Sequence, residues 1–171
     1  MTYSTNSQVK LVAGRLALDF VNTADWTDDG ALLKDRIASL ADLAVWQDRV
    51  GLPDAHWDGT LDQLRDFRHQ LRRAVLGQAT SGLTVALEGT TAPSVDWLRR
   101  QSLRSLISIS ALSVLADPRE LDRVKLCQGH DCGWIFLDET KNARRKWCLM
   151  EVCGNRAKST RHYARKLEAL R

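Results

Sequence analysis

No stretch of this 171-residue chain approaches the ~20 consecutive apolar residues that a bilayer span requires. The longest candidate, Leu103 to Ala116, is short and carries Arg104 and four serines. No signal peptide is expected, because Lys10, Arg15 and Asp19 interrupt every apolar run near the N-terminus. The expectation is a soluble cytoplasmic protein with no membrane partner. Internal repeats and low-complexity tracts are absent. So is the Cys-x-x-Cys spacing common in thiol redox chemistry, and so is the His-x-Glu with Pro-Cys-x-x-Cys pattern of zinc deaminases. No phosphate-binding glycine loop and no nucleophile–base pair stand out. An enzyme is therefore not expected.

Cysteine is missing from the first 126 residues. All four cysteines fall in the next 27: Cys127 and Cys132 form one C-x4-C pair, Cys148 and Cys153 a second, with fifteen residues between the pairs. Two matched pairs at this separation suit a tetrahedral zinc site, since each short loop offers two thiolates to one ion. Disulfides would need an oxidising compartment. His130 lies inside the first loop and could stand in for one thiol, but with four thiols present it reads as a solvated loop residue. Four thiolates close the coordination shell, so one zinc ion here would be structural rather than catalytic.

Charge is unevenly spread. Residues 1–126 carry 15 Lys+Arg against 16 Asp+Glu, whereas residues 140–171 carry 10 against 2, a net of +8. A basic surface of this kind favours phosphate backbones or anionic membranes. Its members are Lys141, Arg144, Arg145 and Lys146 in one loop, and Lys158, Arg161, His162, Arg165 and Lys166 on one side of a C-terminal helix. These are the candidate nucleic-acid contacts.

The pattern predicts a mainly α protein, with a helical N-terminal domain (1–124) followed directly by a small zinc finger (125–171). Helices are expected at Ala31 to Val50, with Asp28 or Asp29 as cap, and from Leu61 behind the capping box Thr60-Leu61-Asp62-Gln63. A third runs from the Ser94 cap to about Ala116 with Leu98, Leu106, Ile109, Leu112 and Val114 on its apolar side. Asp117-Pro118-Arg119-Glu120 restarts a short helix that runs into Cys127. Arg65, Arg68, Arg72 and Arg73 read as a solvated face. A short strand is expected at Leu83 to Leu87.

Within the finger, a knuckle, a hairpin of Trp134–Leu137 with Lys146–Leu149, and a helix from Cys153 make a treble-clef-like unit. Metal binding should supply much of its folding energy, roughly 10 kcal/mol or more. On the last helix Ala157, Thr160, Tyr163, Ala164 and Leu167 should face the protein. Trp134 and Trp147 read as core, and Arg156 as a structural residue pairing with Asp138 or with knuckle carbonyls.

The segment Cys127-x4-Cys132-Gly133-Trp134-x-Phe136-x-Asp138, Asn142, Arg145-x-Trp147-Cys148-x-Met150 and Cys153-Gly154-Asn155-Arg156-Ala157-Lys158 resembles the CGNR zinc-finger family. Leu16-x-Leu18-Asp19-Phe20-x-Asn22-Thr23 is similar to the opening motif of the ABATE helical domain that commonly precedes this finger. The resemblance implies a bacterial, stress-induced transcription regulator that binds double-stranded DNA, with Cys127, Cys132, Cys148 and Cys153 as zinc ligands. The chain departs from the pattern at Thr140-Lys141, where Ser-Arg is usual, and at Arg144, which replaces a small residue. Asp19, Asn22 and Thr23 have two readings: a pocket for a small-molecule effector, or ties between helix ends. A homodimer would compensate for the small contact area of a single finger.

Overall fold

The computed structural model describes residues 10–78 and 94–169, so the strand expected at Leu83 to Leu87 lies outside the described residues. The chain opens with a short helix, α1 (Leu16–Val21), buried on nearly every side. An antiparallel hairpin follows, β1 (Ala24–Trp26) with β2 (Leu32–Asp35), in the register Ala24↔Asp35 and Asp25↔Lys34 with a bulge before Trp26.

This hairpin replaces the first half of the expected Ala31–Val50 helix. Asp29 does not cap a helix: its carboxylate takes the Thr27 hydroxyl inside the turn that Gly30 closes onto the Thr27 carbonyl. The helix α2 (Leu40–Arg49) begins only after Ser39, which forms a capping box with Asp42.

The capping box at Thr60 and Gln63 is present and starts α3 (Leu61–Val75). Leu64, Phe67, Leu71 and Val75 enter the core. Arg68 and Arg72 share that stripe and are 1% and 3% exposed, which corrects the expected solvated face. Their partners lie far away in sequence: Asp35 for Arg68, and the Gly133 carbonyl for Arg72.

The third expected helix is two. Ser94 caps α4 (Val95–Arg99), and Ser102 caps α5 (Leu103–Ala116) afresh. The buried side of α5 is Leu103, Ile107, Ala111 and Val114, while Leu98 and Leu112 remain exposed. Asp117 caps α6 (Pro118–Leu121) as expected, but Glu120 turns to pair with Arg15. This helix stops at Leu121, because Val124–Leu126 forms strand β3.

Strand β3 pairs antiparallel with β4 (Ile135–Leu137). The finger hairpin therefore uses the segment before the first cysteine rather than Lys146–Leu149, and the knuckle Cys127–Cys132 lies in its connection. Side chains of β4 alternate. Ile135 and Leu137 join the helical core with Phe20, Leu64 and Ile107. Trp134 and Phe136 face the cysteines together with Ala24 and Trp26. One strand thus belongs to two cores, and no linker separates finger from helices.

Backbone pairing makes the same join. The amide of Cys127 donates to Trp134 and that of Asp138 to Arg123, so Ile135 and Leu137 point their backbone groups away from β3. The N-terminal segment satisfies them. Asn22 receives the Ile135 amide at 3.0 Å and donates to its carbonyl at 2.7 Å, and the Leu137 amide donates to Ala13.

After β4 the chain turns at Ala143, which has φ 47°, and reaches a wide turn at Met150–Gly154, wound so that the Gly154 amide donates five residues back to Leu149. Helix α7 (Asn155–Glu168) follows and buries none of its residues. Tyr163 and Leu167 are 67% and 65% exposed, which corrects the expectation that the apolar side of this helix packs on the protein.

Candidate metal centre and its surroundings

Local structure delivers the four sulfurs. Cys127 follows β3, Cys132 ends the knuckle, Cys148 precedes the wide turn and Cys153 lies within it. The sulfurs all lie within 4.8 Å of one another. Cys132 to Cys148 is 3.7 Å and Cys148 to Cys153 is 3.6 Å. A tetrahedral site with Zn–S of ~2.3 Å has edges of about 3.8 Å, so the cluster fits one zinc ion. The amides of Gly129 and Cys148 donate to the Cys127 sulfur at 3.4 and 3.3 Å, as expected around a metal thiolate.

Four thiols this close cannot all ionise without a cation. Hydrogen bonds from Cys132 and Cys148 lower Cys127 to about 2. Hydrogen bonding to Cys127 in turn drives Cys132 up to about 12, and hydrogen bonding to Cys127 and Cys132 raises Cys148. Cys153 is raised first by burial. A divalent ion removes the conflict by accepting all four as thiolates. One structural zinc therefore suits the donor set, held by Cys127, Cys132, Cys148 and Cys153.

The residues between the ligands explain their own presence. At Gly154 a Cβ would stand 2.2 Å from the Met150 sulfur, and at Gly133 one would stand 2.0 Å from the Thr27 carbonyl oxygen. Gly133 lets the knuckle touch the β1–β2 turn, and its amide donates to Trp26 at 2.7 Å. The side-chain amide of Asn155 donates to the backbone carbonyl of Glu151, and Arg156 donates to the knuckle carbonyl of His130 at 3.2 Å. Arg156 thus takes the carbonyl of its two expected partners and not Asp138. His130 is exposed and pairs with Asp131.

Asp138 is buried and organises the loop after β4. It accepts from Lys125 at 2.6 Å, from the amide and hydroxyl of Thr140, and from the Arg145 amide. Burial raises its carboxyl, but these donors outweigh burial and hold it far below the usual range. Trp134 is nearly buried and donates to Asp25 at 3.0 Å, with Arg36 over its ring. Trp147 is partly buried against the same cluster.

Arg145 departs from its expected role as a nucleic-acid contact. Its guanidinium donates to the carbonyls of Trp147, Val12 and Cys148 and lies over Phe136 at 4.2 Å. It clamps the second cysteine loop onto the N-terminal segment. The other cations of the set, Lys141, Arg144, Lys146, Lys158, Arg161, His162, Arg165 and Lys166, are exposed. None of them forms an ion pair with a carboxylate among the described residues.

Asp19, Asn22 and Thr23 are buried, and each ties neighbouring groups together through hydrogen bonds. Asp19 accepts the amides of Val12 and Ala13, and burial still raises its carboxyl. Thr23 donates to Phe20 and accepts from Arg68. A cavity of about 400 Å³ does exist, but between the hairpin and the finger, lined by Trp26, Lys34, Trp134, Val152 and Cys153 among others, and by none of these three. Sequence reasoning missed Lys125, Asp35, Asp25 and Arg72. Only Lys125, two residues before a ligand, carried a local signal.

Together these features define a small metal-organised finger fused to a helical domain. The model of the ABATE family, described as "Putative stress-induced transcription regulator", matches residues 14–118, and the chain belongs to this family. The CGNR zinc finger model matches residues 123–166. Both families are regulatory or zinc-finger in kind rather than enzymatic. No curated protein matches the chain. No helix among the described residues is long and apolar enough to cross a membrane.

Proposed function

We propose that this chain is a transcription regulator that binds double-stranded DNA through its zinc finger. The carrying observation is α7. It is 14 residues long, about 21 Å, exposed along its length, and its Lys158, Arg161, Arg165 and Lys166 form no ion pair with a carboxylate among the described residues. Unneutralised cations on a free helix are what a polyanion can recruit, and a B-DNA major groove ~12 Å wide admits a helix. Lys141, Arg144 and Lys146 add charge from the neighbouring loop. The exposed Tyr163 and Leu167 leave both sides of the helix available to a duplex.

The zinc holds the wide turn from which α7 starts and so fixes its direction. Phosphate contacts supply most of the affinity, and Arg161 and Arg165, one turn apart, reach base edges. A homodimer is the binding form we favour, since a single module buries only ~600–1,000 Å² on DNA.

The test is fluorescence anisotropy of the zinc-loaded chain with labelled random duplex and single-stranded RNA over a salt series. Duplex binding should weaken steeply with salt. Lys158→Ala with Lys166→Ala, which removes two phosphate contacts, should reduce the slope of log K against log salt by roughly 1–2. Preference for RNA, or an unchanged slope in the double variant, would overturn the reading.

A further inference from the structure

Most buried charges in this protein have a visible partner. Arg68 meets Asp35, Lys125 meets Asp138, and Asp19 receives two amides. Arg72 is different. It is buried on α3, donates to the Gly133 carbonyl at 2.6 Å and lies over the Trp26 ring at 5.0 Å. No carboxylate among the described residues pairs with it. A guanidinium stays protonated in a protein, so this is a buried cation without a conventional counter-ion, an arrangement that is costly on its own.

Its position suggests the missing partner. Gly133 directly follows the ligand Cys132, so Arg72 touches the foot of the knuckle. Burial lowers the basicity of Arg72, and a negative charge on Cys132, once the metal has ionised that thiol, acts in the opposite direction. Four thiolates around one divalent ion carry a net charge of −2, also buried. The helical domain thus places a positive charge that has no carboxylate partner against the knuckle that carries this negative one.

We propose that Arg72 is a positioning residue that supplies the counter-charge of the metal–thiolate centre, so that zinc affinity of the finger depends on its docking against α3. The coupling is reciprocal: zinc binding strengthens the docking by the same factor. Metal loading would then set how firmly the finger, and with it α7, is held to the regulatory domain. The proposal rests on assigning zinc to the four cysteines.

The experiment is competition for zinc between the full chain and a chromophoric chelator, repeated over a pH series. Arg72→Met, which keeps an apolar stem and removes the charge, should raise the zinc dissociation constant at least about tenfold, and its pH midpoint of zinc release should move upward. Arg72→Lys, which keeps the charge, should stay within about threefold of the parent. Arg73→Met removes an exposed charge from the same helix and sets the baseline for net charge. Where Arg72→Met does not fold, Arg72→Gln is read in its place, since it retains a donor for the Gly133 carbonyl. The proposal is overturned if the neutral variant holds zinc as tightly as Arg73→Met with an unshifted midpoint, or if Arg72→Lys loses as much as Arg72→Met. A parent chain that takes up no zinc would instead refute the metal assignment beneath it.

Discussion

Asn22→Ala should destabilise the whole protein although Asn22 touches neither a cysteine nor a basic residue of α7. Its side chain closes the free edge of β4 by pairing with both backbone groups of Ile135, at 2.7 and 3.0 Å, and both residues are 0% exposed. Alanine leaves an N–H and a C=O buried without partners and without room to reach water. Each unsatisfied group costs about 1–3 kcal/mol, so together they amount to about 2–6 kcal/mol. That is a large part of the stability of an ordinary domain.

The assay is urea unfolding of the zinc-loaded chain at pH 7, followed by tryptophan fluorescence. The midpoint should fall with little change in slope, because the surface exposed on unfolding is the same. Asn22→Asp should cost at least as much at this pH, since a carboxylate can take the Ile135 amide but repels its carbonyl. A change below about 0.5 kcal/mol for Asn22→Ala would refute the claim that this motif holds finger and helices together.

Two further outcomes follow from the same geometry. Asp35→Asn leaves Arg68 buried without its carboxylate and should cost about 3–5 kcal/mol at neutral pH. Burial raises the Asp35 carboxyl, but Arg68 chiefly offsets this and holds it below the usual range, so its stabilisation is present above the unfolded value of ~4 and is lost as pH falls through the lower folded value. The stability gap between parent and variant, read by urea unfolding at several pH values, should therefore narrow below pH 4. Stripping zinc with a strong chelator should abolish helical circular dichroism equivalent to the 14 residues of α7, because an isolated helix of that length is marginal in water and this one buries nothing. The signal of the remaining helices should persist.

What the sequence revealed was local. The cysteine spacing, the capping box at Thr60–Gln63, the cap at Asp117, and the bias of charge toward the C-terminus each act within a few residues, and each corresponds to a feature of the structure. The misreadings share a different cause. Leu33, Ile37 and Leu40 fall at helical spacing, yet Leu33 lies on a strand held by pairing with β1. Arg72 looked solvated because its partner lies 61 residues away, and Arg145 looked available because its acceptors include Val12, 133 residues away. On α7 the periodicity is present but none of its residues is buried: the helix leaves the wide turn at Met150–Gly154, which carries the ligand Cys153, and stays exposed. Long-range partners decide whether an arginine is a surface or a clamp, and side-chain spacing along one segment does not encode them.

The claim on which all else rests is that four sulfurs bind one ion and organise the C-terminal third. Elemental analysis of the purified full chain tests it most directly. One zinc per chain is expected, with loss of stoichiometric metal in Cys127→Ser with Cys153→Ser. Parent protein free of zinc, or a double variant that keeps a full equivalent, would contradict the account.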